Sequence, residues 1–188
     1  MANRAVFLDR DGTIIEEVNY LRRIEEMVVF PFAAEALRKL KAAGYLNVVI
    51  SNQSAIARGF LSESDLETIH EALARRLKRD GARVDAFYFC PHHAEATVEK
   101  YRTVCECRKP RPGMIFQAAS DLQIDVKASF VVGDRAGDVG AAREAGCRSV
   151  LVKTGYGEVA LEELGDLQPD YIAENLLEAA EWIIAADR

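Results

Sequence analysis

The apolar run Ala5-Val6-Phe7-Leu8 leads directly into Asp9-Arg10-Asp11-Gly12-Thr13. No other stretch constrains the chain as much, because a strand without polar alternation must be covered on both faces. Ligands of open α/β sheets bind beyond the carboxyl ends of such strands. A carboxylate there can act as a nucleophile, forming an acyl phosphate that divides one hard displacement into two easier ones. A second carboxylate two residues on can carry the proton of the leaving or attacking oxygen. Taken alone, these residues are equally well explained as an Asx-type turn closed by Gly12, with both aspartates merely solvated.

The rest of the chain supplies the context. Strand-length apolar runs at 4–9, 46–51, 86–90, 129–133 and 148–152, with a weaker one at 170–173, alternate with helical periodicity. Helices are expected at 32–43, 62–80, 113–121, 137–145 and 175–186. In the second of these, Leu66, Ile69, His70, Leu73 and Leu77 fall on one buried face. Ser62 and Asp65 approximate a capping box at its start, and Gly44 and Gly146 fit left-handed helix C-caps. This alternation predicts an α/β fold: a three-layer, doubly wound parallel sheet in one domain spanning residues 1–188. One long irregular stretch, residues 90–112, is rich in Cys, His, Arg, Lys and Pro, and loops of that length are usually functional.

A net charge of −6 argues against general binding to nucleic acid or membrane surfaces, which calls for a basic patch. An anionic ligand would therefore need a local positive site, built from a metal ion and a few chosen cations. No run approaches the ~18 apolar residues of a membrane span, and the N-terminal residues lack a signal-peptide core. A cytoplasmic, monomeric protein acting on a small molecule is the expectation.

Three further segments carry chemistry. Ser51-Asn52-Gln53-Ser54 ends the second strand, where hydroxyl, amide and backbone N–H groups suit phosphoryl oxygens. Gly133-Asp134-Arg135-Ala136-Gly137-Asp138 ends the fourth, and its two carboxylates could complete an octahedral Mg2+ site; Asp138 could equally well serve the N-terminus of the following helix. Arg108 and Lys109, stiffened by Pro110 and Pro112, offer fixed cations for such a site. Cys90, His92, Cys105 and Cys107 form a Cys3His set suited to a closed, structural Zn2+ site that would clamp the loop. His93 could replace His92, although a surface role suits it better, and Cys147 reads as a small core residue.

In chain order, Asp9-x-Asp11-Gly12-Thr13, Ser51-Asn52, Lys109 and Gly133-Asp134-x-x-x-Asp138 resemble the four motifs of the haloacid-dehalogenase-like (HAD) phosphohydrolases. The resemblance spans nearly the whole chain. More narrowly, residues 51–59, Cys90-Pro91-His92-His93 and Cys105–Pro110 are similar to the heptose-bisphosphate phosphatase family, which lacks a large cap domain and carries a zinc-bound loop.

That resemblance implies a Mg2+-dependent phosphatase that removes the 7-phosphate of D-glycero-D-manno-heptose 1,7-bisphosphate. It implies Asp9 as nucleophile and Asp11 as general acid/base. Mg2+ would be held by Asp9, the backbone carbonyl of Asp11, and Asp134, with Asp138 behind it. Ser51 and Lys109 would steady the transferring group. Asn19, Tyr20, Asn52, Gln53, Arg58 and Arg108 would meet the substrate, and Cys90, His92, Cys105 and Cys107 would hold Zn2+. Two positions depart from the family: Ser51 replaces a common Thr, and Ala55 replaces a usual Gly, adding a methyl group to a loop where glycine's freedom could matter. The alternatives are a histidinol-phosphate phosphatase, another sugar-phosphate phosphatase, a phosphomutase, and a zinc-stabilised module that binds a sugar phosphate without turning it over.

Overall fold

Strand β1 (Arg4–Leu8) lies inside the sheet, flanked in parallel by β2 (Tyr45–Asn52) and β4 (Phe130–Gly133). A computed structural model describes residues 2–186. Beyond β2 lies β3 (Ala86–Cys90), and beyond β4 lie β5 (Arg148–Val152) and β6 (Tyr171–Ala173). The six strands run in the order β3-β2-β1-β4-β5-β6, every pairing parallel. The helices are α1 (Ala33–Ala42), α2 (Ser54–Ala57), α3 (Glu63–Arg79), α4 (Gly113–Leu122), α5 (Ala136–Ala145), α6 (Gly157–Glu163) and α7 (Leu176–Ala186).

Alternation along β1 sorts the helices into layers. Val6 and Leu8 point into one core with Leu37 of α1, Leu73 of α3 and Ile183 of α7. Ala5 and Phe7 point into the other, with Met114 and Ile115 of α4 and Ala141 of α5. The sheet is thus covered on both faces, as the continuous apolar strands require. Strand order reverses direction between β1 and β4, and that switch point is where a doubly wound sheet opens a crevice.

The expected strands and helices occur within a residue or two of their predicted limits. The capping box at Ser62 is complete: Asp65 N–H donates to Ser62 Oγ at 3.1 Å, and Ser62 N–H donates to Asp65 Oδ2 at 2.8 Å. Gly44 and Gly146 have φ of 88° and 82°. Two α-helices lie outside the sequence expectation. Helices α2 and α6 have four and seven residues, too short to display a helical period. Ala55 lies inside α2 with no positive φ, so its methyl group meets no backbone demand for glycine. Cys147 is only half-buried, packed against the edge of the second core.

Within residues 90–112, the stretch 96–101 is pinned against α2 and α3. Ala96 and Tyr101 pack with Ala55, Ile56 and Leu66 in a small core of their own. Val98 N–H also donates to the Ala57 carbonyl at 3.0 Å.

Candidate active site

The end of β1 is tied to β4 by the Asp9 N–H, which donates to the Val132 carbonyl at 2.9 Å. The chain then turns sharply. Gly12, at φ +80°, donates to Ile15 O at 2.8 Å. A β-carbon at Gly12 would lie 2.1 Å from Asp134 Oδ2, and one at Gly155 (φ +60°) would lie 2.2 Å from the same oxygen. The Asp134 carboxylate therefore rests in a cradle that only two glycines can form.

Lys109 joins the strand ends. Its ammonium lies 2.8 Å from Asp9 Oδ1, 2.6 Å from Asp138 Oδ1 and 2.9 Å from the Ile50 carbonyl. Asn52, at the tip of β2, clasps the same residue by its backbone: Lys109 N–H donates to Asn52 Oδ1 and Asn52 Nδ2 donates to Lys109 O, both at 3.1 Å. The peptide between Lys109 and Pro110 is cis. Burial alone would discharge this lysine, but Asp138 and Asp9 outweigh it and hold its pKa above the ordinary value.

Three carboxylates, Asp9, Asp134 and Asp138, converge here, all buried and each with an oxygen within 4.8 Å of the others, and Lys109 pairs with the first and the last of them. Burial raises the Asp9 pKa, with Asp138 adding to the rise and Lys109 opposing it. Burial, then Asp9 and Asp138, pushes Asp134 up to about 8. Asp134 Oδ2 accepts from the Tyr156 N–H at 2.8 Å, whereas Oδ1 is buried with no hydrogen-bond partner among the described residues. A buried, unpaired oxygen beside surplus negative charge is costly. These oxygens fit a small hard cation, which prefers carboxylate ligands.

Asp11 belongs to a separate network. Arg10, 1% exposed, grips the Asp11 carboxylate through Nε at 3.0 Å and Nη2 at 2.8 Å. Gln53 Nε2 donates to Asp11 Oδ2 at 3.0 Å and lies 2.8 Å from Ser51 Oγ. Gln53 Oε1 accepts from Arg10 Nη2 at 3.1 Å.

Above these groups opens a cleft of about 280 Å³. Asp9, Asp11, Ser51, Lys109 and Asp138 lie along it, as do Asn52 and Gln53. Its rim carries Asn19, Tyr20, Arg58 and Arg108. Asn19 and Tyr20 both adopt positive φ, 53° and 72°. Tyr20 meets Phe60 edge-on at 5.3 Å, with the Arg58 guanidinium 5.8 Å from the Tyr20 ring. Arg108 donates to Ser54 Oγ at 3.2 Å and to the His92 carbonyl at 3.1 Å.

The second candidate metal centre lies in the loop. Cys90, His92, Cys105 and Cys107 each offer a ligand atom within 4.8 Å of the rest. The Cys107 sulfur lies 3.0 Å from that of Cys90 and 3.2 Å from that of Cys105, with no disulfide. Burial pushes the Cys90 thiol up, so a convergence of soft donors in place of solvated thiols fits a metal of zinc's type. His93 takes no part in this cluster. It lies partly exposed on the wall of the cleft instead, its Nδ1 accepting from the Glu95 N–H at 3.1 Å, in keeping with the surface role expected for it.

A HAD-hydrolase-like family model matches residues 106–179. A D-glycero-D-manno-heptose-1,7-bisphosphate 7-phosphatase of Thermosynechococcus vestitus is 42% identical over 97% of this chain and 96% of its own. The D-glycero-beta-D-manno-heptose-1,7-bisphosphate 7-phosphatase of Escherichia coli K12 is 40% identical over 96% of this chain and 87% of its own. The chain belongs to the heptose-bisphosphate phosphatase family. A crystal structure of D,D-heptose 1,7-bisphosphate phosphatase from B. bronchiseptica, complexed with magnesium and phosphate, superposes with a TM-score of 0.86. It is 32% identical and covers 97% of this chain and 99% of its own.

In this heptose-bisphosphate phosphatase family member, three cleft residues, Arg10, Arg135 and His93, and Gly155 beside Asp134 have no role legible in the sequence. Arg10 stands between two acidic residues in a turn, and nothing in the sequence marks it as buried. Glu17 and Arg135 form an ion pair across the rim at 3.5 Å, a pairing that no spacing announces. Gly155 follows β5 in a segment without a motif. His93 alone had a signal, its adjacency to His92.

Proposed function

We propose that this chain is a phosphoric monoester hydrolase that removes the 7-phosphate from D-glycero-D-manno-heptose 1,7-bisphosphate by way of an aspartyl phosphate on Asp9. The observation that carries this reading is the Lys109 ammonium set between Asp9 and Asp138, in a carboxylate cluster where Asp134 Oδ1 has no hydrogen-bond partner among the described residues. Such a cluster needs a further cation, and a substrate phosphate needs one even more.

Asp9, Asp134 and the backbone carbonyl of Asp11 would hold Mg2+, while Asp138 supports the site through Lys109. Mg2+, when bound, supplies the positive charge that lets an anionic phosphate approach a carboxylate. A free carboxylate oxygen of Asp9 attacks phosphorus, and the bond from phosphorus to the sugar oxygen breaks. Asp11 gives its proton to that leaving oxygen. Asp11 then takes a proton from water, whose oxygen attacks phosphorus and frees the Asp9 carboxylate with release of inorganic phosphate. Lys109 and Ser51 hold the transferring group as charge redistributes.

Asn19, Tyr20, Arg58 and Arg108 present a mixed polar and cationic rim to the sugar and its distal phosphate, and Gln53 ties the phosphate side to Asp11. Arg108 suits the second phosphate because a guanidinium matches two phosphate oxygens at once. Cys90, His92, Cys105 and Cys107 would hold Zn2+, fixing the loop from which Arg108 and Lys109 project.

Phosphate release from heptose 1,7-bisphosphate and from histidinol phosphate, each in Mg2+, tests the reading. The expected result is a kcat/KM at least about tenfold higher on the heptose bisphosphate, since a missing phosphate contact costs on the order of 1.4 kcal/mol or more. Equal or reversed preference would reject the substrate; ligand binding without phosphate release would reject the catalytic assignment.

A further inference from the structure

The Asp11 carboxylate is held unevenly. Its Oδ2 accepts from Arg10 Nε at 3.0 Å, from Arg10 Nη2 at 2.8 Å and from Gln53 Nε2 at 3.0 Å. Its Oδ1 accepts only from Arg10 Nη2, at 3.0 Å, among the described residues. The oxygen with capacity to spare is therefore Oδ1, and what decides this is the placement of one guanidinium.

That guanidinium is itself braced from behind. Arg10 Nη1 donates to His70 Nε2 at 3.3 Å, across 60 residues of sequence. His70 projects from α3, 5% exposed, its ring stacked on Phe87 with centroids 4.6 Å apart and planes at 17°. Phe89 meets the same ring edge-on at 6.2 Å. The imidazole plane is thus fixed by aromatic packing before it meets Arg10. Burial first, and then the Arg10 charge, lowers the His70 pKa to about 3, so it stands as a neutral acceptor.

The neutrality matters. A buried guanidinium must satisfy its donors. A carboxylate in place of His70 would do so by drawing Arg10 into a competing ion pair. A neutral ring nitrogen holds the donor yet leaves the full charge for Asp11.

We propose that His70 is a positioning residue for proton transfer: acting through Arg10, it fixes the Asp11 carboxylate so that Oδ1 is the oxygen that exchanges the proton. This rests on the phosphatase reading above, in which Asp11 is the acid/base.

Steady-state kinetics on heptose 1,7-bisphosphate in Mg2+ would compare the wild type with H70F, which keeps the stack and loses the acceptor, and with H70Q, which restores an acceptor oxygen. H70L replaces H70F should the larger ring prevent folding, as judged by near-UV circular dichroism. The expected result is a fall in kcat of about 10-fold or more for H70F with KM little changed, because small misplacements of a reacting group are costly, and substantial recovery in H70Q. Introduced into R10M, H70F should cost little more, since two residues acting through one contact are not additive. An unchanged kcat in H70F, a loss confined to KM, or the same further loss in the R10M background would each overturn the proposal. A wild type that releases no phosphate would overturn the phosphatase reading itself, and this inference with it.

Discussion

Lys109 Nζ lies 2.8 Å from Asp9 Oδ1, although 100 residues separate them in the chain. The contact exists because β1 and β2 are neighbours and Asn52 holds the Lys109 backbone at the β2 tip. Lys109 is therefore both an electrostatic and an architectural element of the cluster. K109M should lower kcat by about 10²- to 10³-fold, the usual cost of losing one fixed charge-stabilising donor. It should also destabilise the fold by roughly 3 kcal/mol, because the buried carboxylates lose their compensating charge. Phosphate-release assays and urea denaturation check both, and near-normal turnover in a folded K109M would show that the ammonium is dispensable.

Burial of a neutral His70 carries a pH signature. Its pKa is lowered from 6.5 to about 3 in the fold, so between those values the unfolded chain binds a proton that the folded chain does not. Stability then falls as pH drops below about 6.5, by up to roughly 1.4 kcal/mol per pH unit from this group, and the loss stops accumulating below about 3. H70Q should show a shallower decline than the wild type in urea melts between pH 6.5 and pH 4.5. Parallel declines would mean that His70 is not held neutral.

The Cys3His cluster predicts about one zinc per chain that survives dialysis against a mild chelator. C105S should lose that metal. It should also melt about 4–8 °C lower, given a stability loss near 2 kcal/mol in a chain of this size. Because Arg108 and Lys109 directly follow Cys107, kcat/KM should fall as well. Unchanged metal content, melting temperature and activity together would remove the loop clamp from the account.

Much of this architecture is legible in the sequence for identifiable reasons. Continuous apolar runs such as Val48–Ile50 have no stable alternative to a covered parallel strand, and the carboxylates follow such runs at once, so their gathering at one end of the sheet follows from topology. His70 was legible as a buried position through its spacing with Leu66 and Leu73. Its partner was not, because nothing in a helical period says what a buried side chain faces across 60 residues. The burial of Arg10 is hidden for a related reason: charged turn residues are usually solvated, and here His70 of α3, packed on Phe87 and Phe89 of β3, lies behind it. Helices α2 and α6 are too short to carry a period of their own. Asn52 lines the cleft, as the resemblance implies, but no motif announces that both ends of its amide also clasp the Lys109 backbone.

The account stands on Asp9 as the group that attacks phosphorus. The most direct measurement is phosphate release from heptose 1,7-bisphosphate by D9N in saturating Mg2+, with circular dichroism confirming an intact fold. The account predicts a loss of about 10³-fold or more, as expected when a nucleophile that acts in concert with its neighbours is removed. Turnover within a fewfold of wild type would contradict it.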